Sequence, residues 1–94
     1  MAVLKFLGPL QGALGYDTLI VDLEGEVKLV ELINRHLSGS EVSKMILCDG
    51  GEGVGLKPEV LVLVNGREIS TIRGLDSMVD EDDEVVFISI SHGG

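Results

Sequence analysis

The sequence predicts an α+β fold, with one main helix on one face of a mixed sheet of four to five strands. Three observations point to it. Short apolar runs with a two-residue period stand near both ends of the chain. Between them, one stretch repeats its apolar residues with the period of a helix. Asn65-Gly66 then follows directly on Val60-Leu61-Val62-Leu63-Val64, which reads as a strand closed by a tight turn. One helix between strands gives two layers rather than a doubly wound sheet.

The elements follow in order. Val3 to Leu7 reads as the first strand, closed by the breaker pair Gly8-Pro9. Gly12 and Gly15 bracket a connection to a second strand near Tyr16 to Leu23, so the chain opens on a hairpin. In that strand Leu19, Val21 and Leu23 alternate with Ile20, Asp22 and Glu24, giving one buried and one mostly wet face. From Glu26 to Leu37 the period lengthens, and Val27, Leu29, Val30, Ile33 and Leu37 form an apolar stripe. Glu26 at the start and Arg35 and His36 at the end suit the helix dipole, and Ser38-Gly39 supplies the stop. Ser40 to Met45 suggests a short second helix. Asp49 to Gly55 carries four glycines and reads as a mobile loop. Val60 to Val64 is apolar throughout, as in a strand covered on both sides. Arg67-Glu68-Ile69 makes a short return strand, turns fill the stretch to Asp83, and Glu84 to Ser91 is the last strand. One helix cannot cover both faces of such a sheet, so apolar surface is left over, which usually marks a partner site.

Composition narrows the function. Ninety-four residues hold one core, so residues 1–90 read as a single domain and residues 91–94 as a flexible tail. Three aromatic residues make a poor base-stacking platform. Seven basic residues against sixteen acidic ones, a net charge of −9, do not suit a nucleic-acid footprint. They suit solubility and docking onto a basic patch of another protein. Cys48, the only cysteine, allows no internal disulfide. The N-terminus lacks the long apolar segment of a signal peptide, and no apolar run is long enough to cross a bilayer. The expected setting is cytoplasmic, without membrane contact.

The enzyme motifs fail one by one. Gly50-Gly51-x-Gly53-x-Gly55 fits neither the P-loop nor the dinucleotide fingerprint, because the helix precedes it and no Gly-Lys-Ser/Thr follows. Asp80 to Glu84 lacks the spacing of a calcium loop and reads as a charged turn. Cys48, His36 and His92 have no spacing that makes a nucleophile and its base, and they form no zinc site. Cys48 reads instead as a small core residue. What is left is the end of the chain, Ser91-His92-Gly93-Gly94. Two residues without Cβ atoms can pass through a channel too narrow for side chains. Their carboxylate is a poor acyl donor until it is coupled to AMP, after which a thiol, persulfide or amine can attack it. A frayed chain end is the competing reading, and the residues alone leave both open.

Pro58 to Gly94, PEVLVLVNGREISTIRGLDSMVDEDDEVVFISISHGG, resembles the C-terminal part of the ubiquitin-related modifier, a ubiquitin-like β-grasp protein. The likeness lies in the apolar strand ending in Val-Asn-Gly, Gly74-Leu75-Asp76 in the turn region, Asp-Asp-Glu-Val before the last strand, and Phe-Ile-Ser-x-x-His-Gly-Gly. The molybdopterin-synthase small subunit and the thiamine-pathway sulfur carrier are similar too, but Phe87-Ile88-Ser89 and His92 lean toward the modifier. The resemblance implies a carrier and protein modifier that is not itself an enzyme. An E1-like enzyme would adenylate Gly94 with ATP, the carrier binding no cofactor or metal. A persulfide sulfur donor would then convert Gly94 to a thiocarboxylate, with Gly93 and His92 as the threadable approach. The acceptor would be a tRNA-thiolation enzyme or target-protein lysines. By analogy with ubiquitin, Leu61, Leu63, Val86, Ile88 and Ile90 would form a partner patch, with Val60, Val62, Val64, Val85 and Phe87 inward. The alternatives are a subunit docked on the large subunit of molybdopterin synthase, and an interaction module whose tail does no chemistry.

Overall fold

The strands that the two-residue period predicts are all present in the computed structural model, which describes residues 1–49 and 53–90. Strand β1 (Ala2–Leu7) alternates buried and outward side chains until Gly8, whose φ of 70° turns the chain away. A short helix, α1 (Pro9–Leu14), fills what the sequence predicts to be a plain Gly-rich connection. Pro9 sits in its first turn, where no N–H is needed, and the N–H of Gly15 closes its end on the carbonyl of Gln11 at 2.9 Å. Leu10 fixes α1 by burying completely. Strand β2 (Thr18–Val21) returns antiparallel to β1, shorter than the predicted Tyr16 to Leu23.

The main helix starts later than its apolar stripe implies. Val27 and Lys28 form β3 (Val27–Lys28), paired with Val79 and Met78, and α2 (Leu29–Leu37) begins after them. A ladder partner far along the chain therefore overrides helical periodicity at Val27. Within α2, Leu29, Leu32, Ile33 and Leu37 are buried, and the carboxylate of Glu31 lies 3.7 Å from Arg35 one turn on. The short second helix, α3 (Glu41–Ile46), begins at Ser40, whose hydroxyl accepts the N–H of Ser43 at 3.4 Å.

The predicted mobile loop over 49–55 needs correction where it is described. β4 (Leu47–Asp49) and β5 (Val54–Leu56) pair antiparallel, with Cys48 opposite Gly55 and Asp49 opposite Val54. Leu47 and Leu56 pack against the core, and this contact offsets the glycine entropy. Gly50, Gly51 and Glu52 lie outside the described residues. Cys48 is half-buried on this ladder rather than in the core.

β6 (Val60–Val64) and β7 (Arg67–Glu68) are joined by Asn65 and Gly66 at φ 51° and 83°, the double left-handed turn that matches strand twist. Single 3₁₀ turns at Ile69–Thr71 and Gly74–Asp76 lead to β8 (Met78–Val79), the partner of β3. The last strand, β9 (Glu84–Ser89), completes a five-stranded mixed sheet in the order β2-β1-β9-β6-β7. Its central pair, β1 and β9, is parallel and the others are antiparallel. The inner face packs on α1, α2 and α3 around one aliphatic core. Its only aromatic rings among the described residues, Phe6 and Phe87, lie opposite each other in register and stack at 5.1 Å between centroids.

Candidate functional site

Register decides what the sheet presents outward. Val60, Val62, Val64, Val85 and Phe87 are buried against the helices. Their neighbours Leu61, Leu63, Val86 and Ile88 therefore point to the other face, half-exposed, as Cβ direction alternates along a strand. Leu61 stands opposite Ile88 and Leu63 opposite Val86, so the four form two adjacent cross-strand pairs. Ile90, just past the end of β9, is 49% exposed. β6 is thus covered on one face only, and its unbroken apolar run serves both the core and an open surface.

Three further outward residues were not singled out from the sequence. Leu7 lies opposite Ile88 across the parallel pair, and Val3 lies opposite Ile20 on the β1–β2 ladder. Leu7 is 43% and Ile20 57% exposed. The two-residue alternation in 3–7 and 19–24 was the available signal, since the first strand placed Val3 and Leu7, and the second Ile20, out of phase with its buried set. Lys5 and Glu84 form the ion pair on this face, 3.2 Å apart with both side chains about half-exposed. Such a pair adds little to stability and leaves the apolar area open.

The chain leaves this face at its C-terminal end. Ser89 is the partner of Val60, and the N–H of Ile90 donates to the carbonyl of Glu59 at 2.7 Å. Backbone pairing therefore holds the strand up to Ile90, one residue before the predicted tail. Ser91, the predicted end of the last strand, and His92, Gly93 and Gly94 lie outside the described residues.

The other polar groups have structural work. Asp83 accepts the side-chain N–H of Asn65 at 2.8 Å and the backbone N–H of Asp80 at 2.7 Å. Asn65 in turn accepts the N–H of Glu84 at 2.9 Å. The acidic run is thus stitched to the β6–β7 turn. Among the described residues no three His, Cys, Asp or Glu side chains gather as metal ligands. His36 is exposed at the end of α2 and Cys48 half-buried in β4. An apolar cleft of about 580 Å³ opens between α2, β5 and the two 3₁₀ turns, lined by Val30, Val54, Leu56, Ile69 and Leu75. It includes none of the outward apolar residues of the sheet. No helix among the described residues is long and apolar enough to cross a membrane.

Comparison with known proteins gives concordant matches. The family model described as Urm1 (ubiquitin related modifier) matches residues 17–94. The ubiquitin-related modifier 1 homolog of Drosophila willistoni is 40% identical over 43 residues, which are 46% of this chain and 43% of that protein. The aligned stretch thus spans less than half of that relative. The solution structure of Urm1 from Trypanosoma brucei superposes with a TM-score of 0.78 at 26% identity, covering 99% of this chain and 94% of that one. A chain of the Amycolatopsis orientalis BexX/CysO complex superposes over all of both chains with a TM-score of 0.79. At 16% identity that likeness is one of fold alone.

Proposed function

The chain belongs to the ubiquitin related modifier family, whose members are small ubiquitin-like carriers rather than enzymes, and from that premise we propose that it is activated at Gly94 as a sulfur carrier and protein modifier. In this reading an E1-like enzyme docks on the outer sheet face and draws the C-terminal residues into its own site. The Gly94 carboxylate attacks the α-phosphorus of ATP, pyrophosphate leaves, and an acyl adenylate forms. A persulfide then displaces AMP to give an acyl disulfide. A second thiol attacks the donor's inner sulfur, releasing the thiocarboxylate and leaving that sulfur and the second thiol joined as a disulfide. The thiocarboxylate either passes its sulfur to an acceptor, as in tRNA thiolation, with Gly94 returning to a carboxylate, or is attacked at its carbonyl carbon by a lysine amine, which forms an amide and releases sulfide.

One observation carries the reading: the two cross-strand pairs of outward apolar residues adjoin the point where the strand ends at Ile90. A partner bound to Leu61, Leu63, Val86 and Ile88 meets the start of the tail as part of the same surface. The carrier needs no catalytic group of its own, because ATP and the activating machinery belong to the enzyme. Gly93, with no side chain, would provide the narrow approach where side chains clash, and His92 would lead into it.

The test is ATP-dependent release of pyrophosphate by the E1-like enzyme, with the full chain and with a chain lacking Gly93-Gly94. The full chain is expected to support release and the truncated one to be inert. Equal release from both would rule out Gly94 as the acceptor of AMP.

A further inference from the structure

From the geometry at the end of β9 we infer that Gly8 is a positioning residue for the activation of Gly94, a role that rests on the function proposed above. The parallel ladder of β1 and β9 ends at Leu7 and Ile88. At the next residue the chain turns through Gly8 at φ 70° and ψ −143°, a conformation closed to residues with a Cβ. A Cβ built there would stand 3.0 Å from the carbonyl oxygen of Ser89, a backbone atom that cannot swing aside. The left-handed glycines Gly15, Gly25, Gly39, Gly53, Gly66 and Gly74 have open space at the same position. Their conformation serves a turn, whereas Gly8 also admits the neighbouring strand.

From the other side, Ser89 is paired with Val60 and the N–H of Ile90 donates to the carbonyl of Glu59. The last two described residues thus pass close beside the β1–α1 junction on one side and pair with the start of β6 on the other. Four residues then remain to Gly94, a reach of at most about 14 Å when fully extended. Docking on the outer face is set by Leu61, Leu63, Val86 and Ile88, while the origin of the reach is set by Gly8. A small shift of that origin misplaces the carboxylate against the α-phosphorus without altering the docked face, and a 1 Å error of this kind costs up to about a hundredfold in rate.

Gly8→Ala is compared with Gly15→Ala, which also forces a positive φ, in the milder left-handed helical region, and meets nothing. Both are measured where they are folded, by kcat and KM for pyrophosphate release and by hydrogen exchange of the Ile90 amide. Gly8→Ala is expected to lower kcat about tenfold at unchanged KM and to speed Ile90 exchange, with Gly15→Ala matching the parent chain in both. Gly8→Ala indistinguishable from Gly15→Ala would overturn the inference. If Gly8→Ala does not fold, Ile90→Pro is compared with Ile90→Ala. Both trim the patch, but only proline removes the N–H bonded to Glu59. A lower kcat for proline at equal KM supports the inference, and equal kcat overturns it. A parent chain that releases no pyrophosphate would defeat the proposed function, and Ile90 exchange in Gly8→Ala would still decide whether the contact holds the strand end.

Discussion

Asn65 shows how much one side chain settles. It occupies the first left-handed position of the β6–β7 turn, where asparagine is the best tolerated residue after glycine. Its amide also donates to Asp83 and accepts from Glu84, which ties the acidic run to the start of β9. Asn65→Ala should cost about 2 kcal/mol, from two lost hydrogen bonds and a left-handed alanine. Asn65→Gly should recover roughly half of that, since only the hydrogen bonds are lost. Urea unfolding of both variants separates the two contributions, and equal losses would mean that the backbone conformation costs nothing. Asn-Gly was readable as a turn from the sequence. The bonds to Asp83 and Glu84 were not, because they join residues that only the β6–β9 pairing brings together.

Among the elements, the paired strands at the middle of the sheet hold the molecule together. Phe6 and Phe87 are both fully buried and stacked, in a core otherwise built from aliphatic side chains. Phe87→Ala should cost about 3–5 kcal/mol, a large share of the roughly 5–15 kcal/mol that stabilises a small domain. A helix cap carries far less, and Ser40→Ala at the start of α3 should cost about 1 kcal/mol. Thermal unfolding gives that order, and a cap loss equal to the ring loss would contradict it. The strands were legible because their alternation is driven by burial, which acts residue by residue. β3 and β4–β5 were not. Val27 has helical spacing but takes a strand partner at Val79, and the glycines around Val54 hid a short ladder that Leu56 anchors to the core. Helix α1 carried its own signals, Pro9 at the start and Gly15 at the end, which read equally well as breakers.

For the whole molecule, one helix layer leaves one sheet face uncovered, and surplus apolar residues in the strands foretold it. Which residues lie on that face follows from register alone once Phe87 is known to be buried. The added members Leu7 and Ile20 required knowledge that β1 and β2 adjoin β9 in that order. Ile88→Ser should raise KM for the activating enzyme about tenfold, as expected for a central interface anchor, with little change in melting temperature. An unchanged KM would move the docking surface elsewhere. The net charge of −9 adds a long-range contribution, so association with a basic partner surface should slow as salt is raised. A salt-independent association rate would remove electrostatic steering from the account.

The claim on which the rest depends is that Gly94 is chemically converted. Its most direct measurement is the intact mass of the full chain after incubation with the E1-like enzyme, ATP and a persulfide donor. Conversion at Gly94 predicts a gain equal to the exchange of one oxygen for sulfur, absent when Gly93-Gly94 are deleted. An unchanged mass, or a gain that survives the deletion, would contradict it.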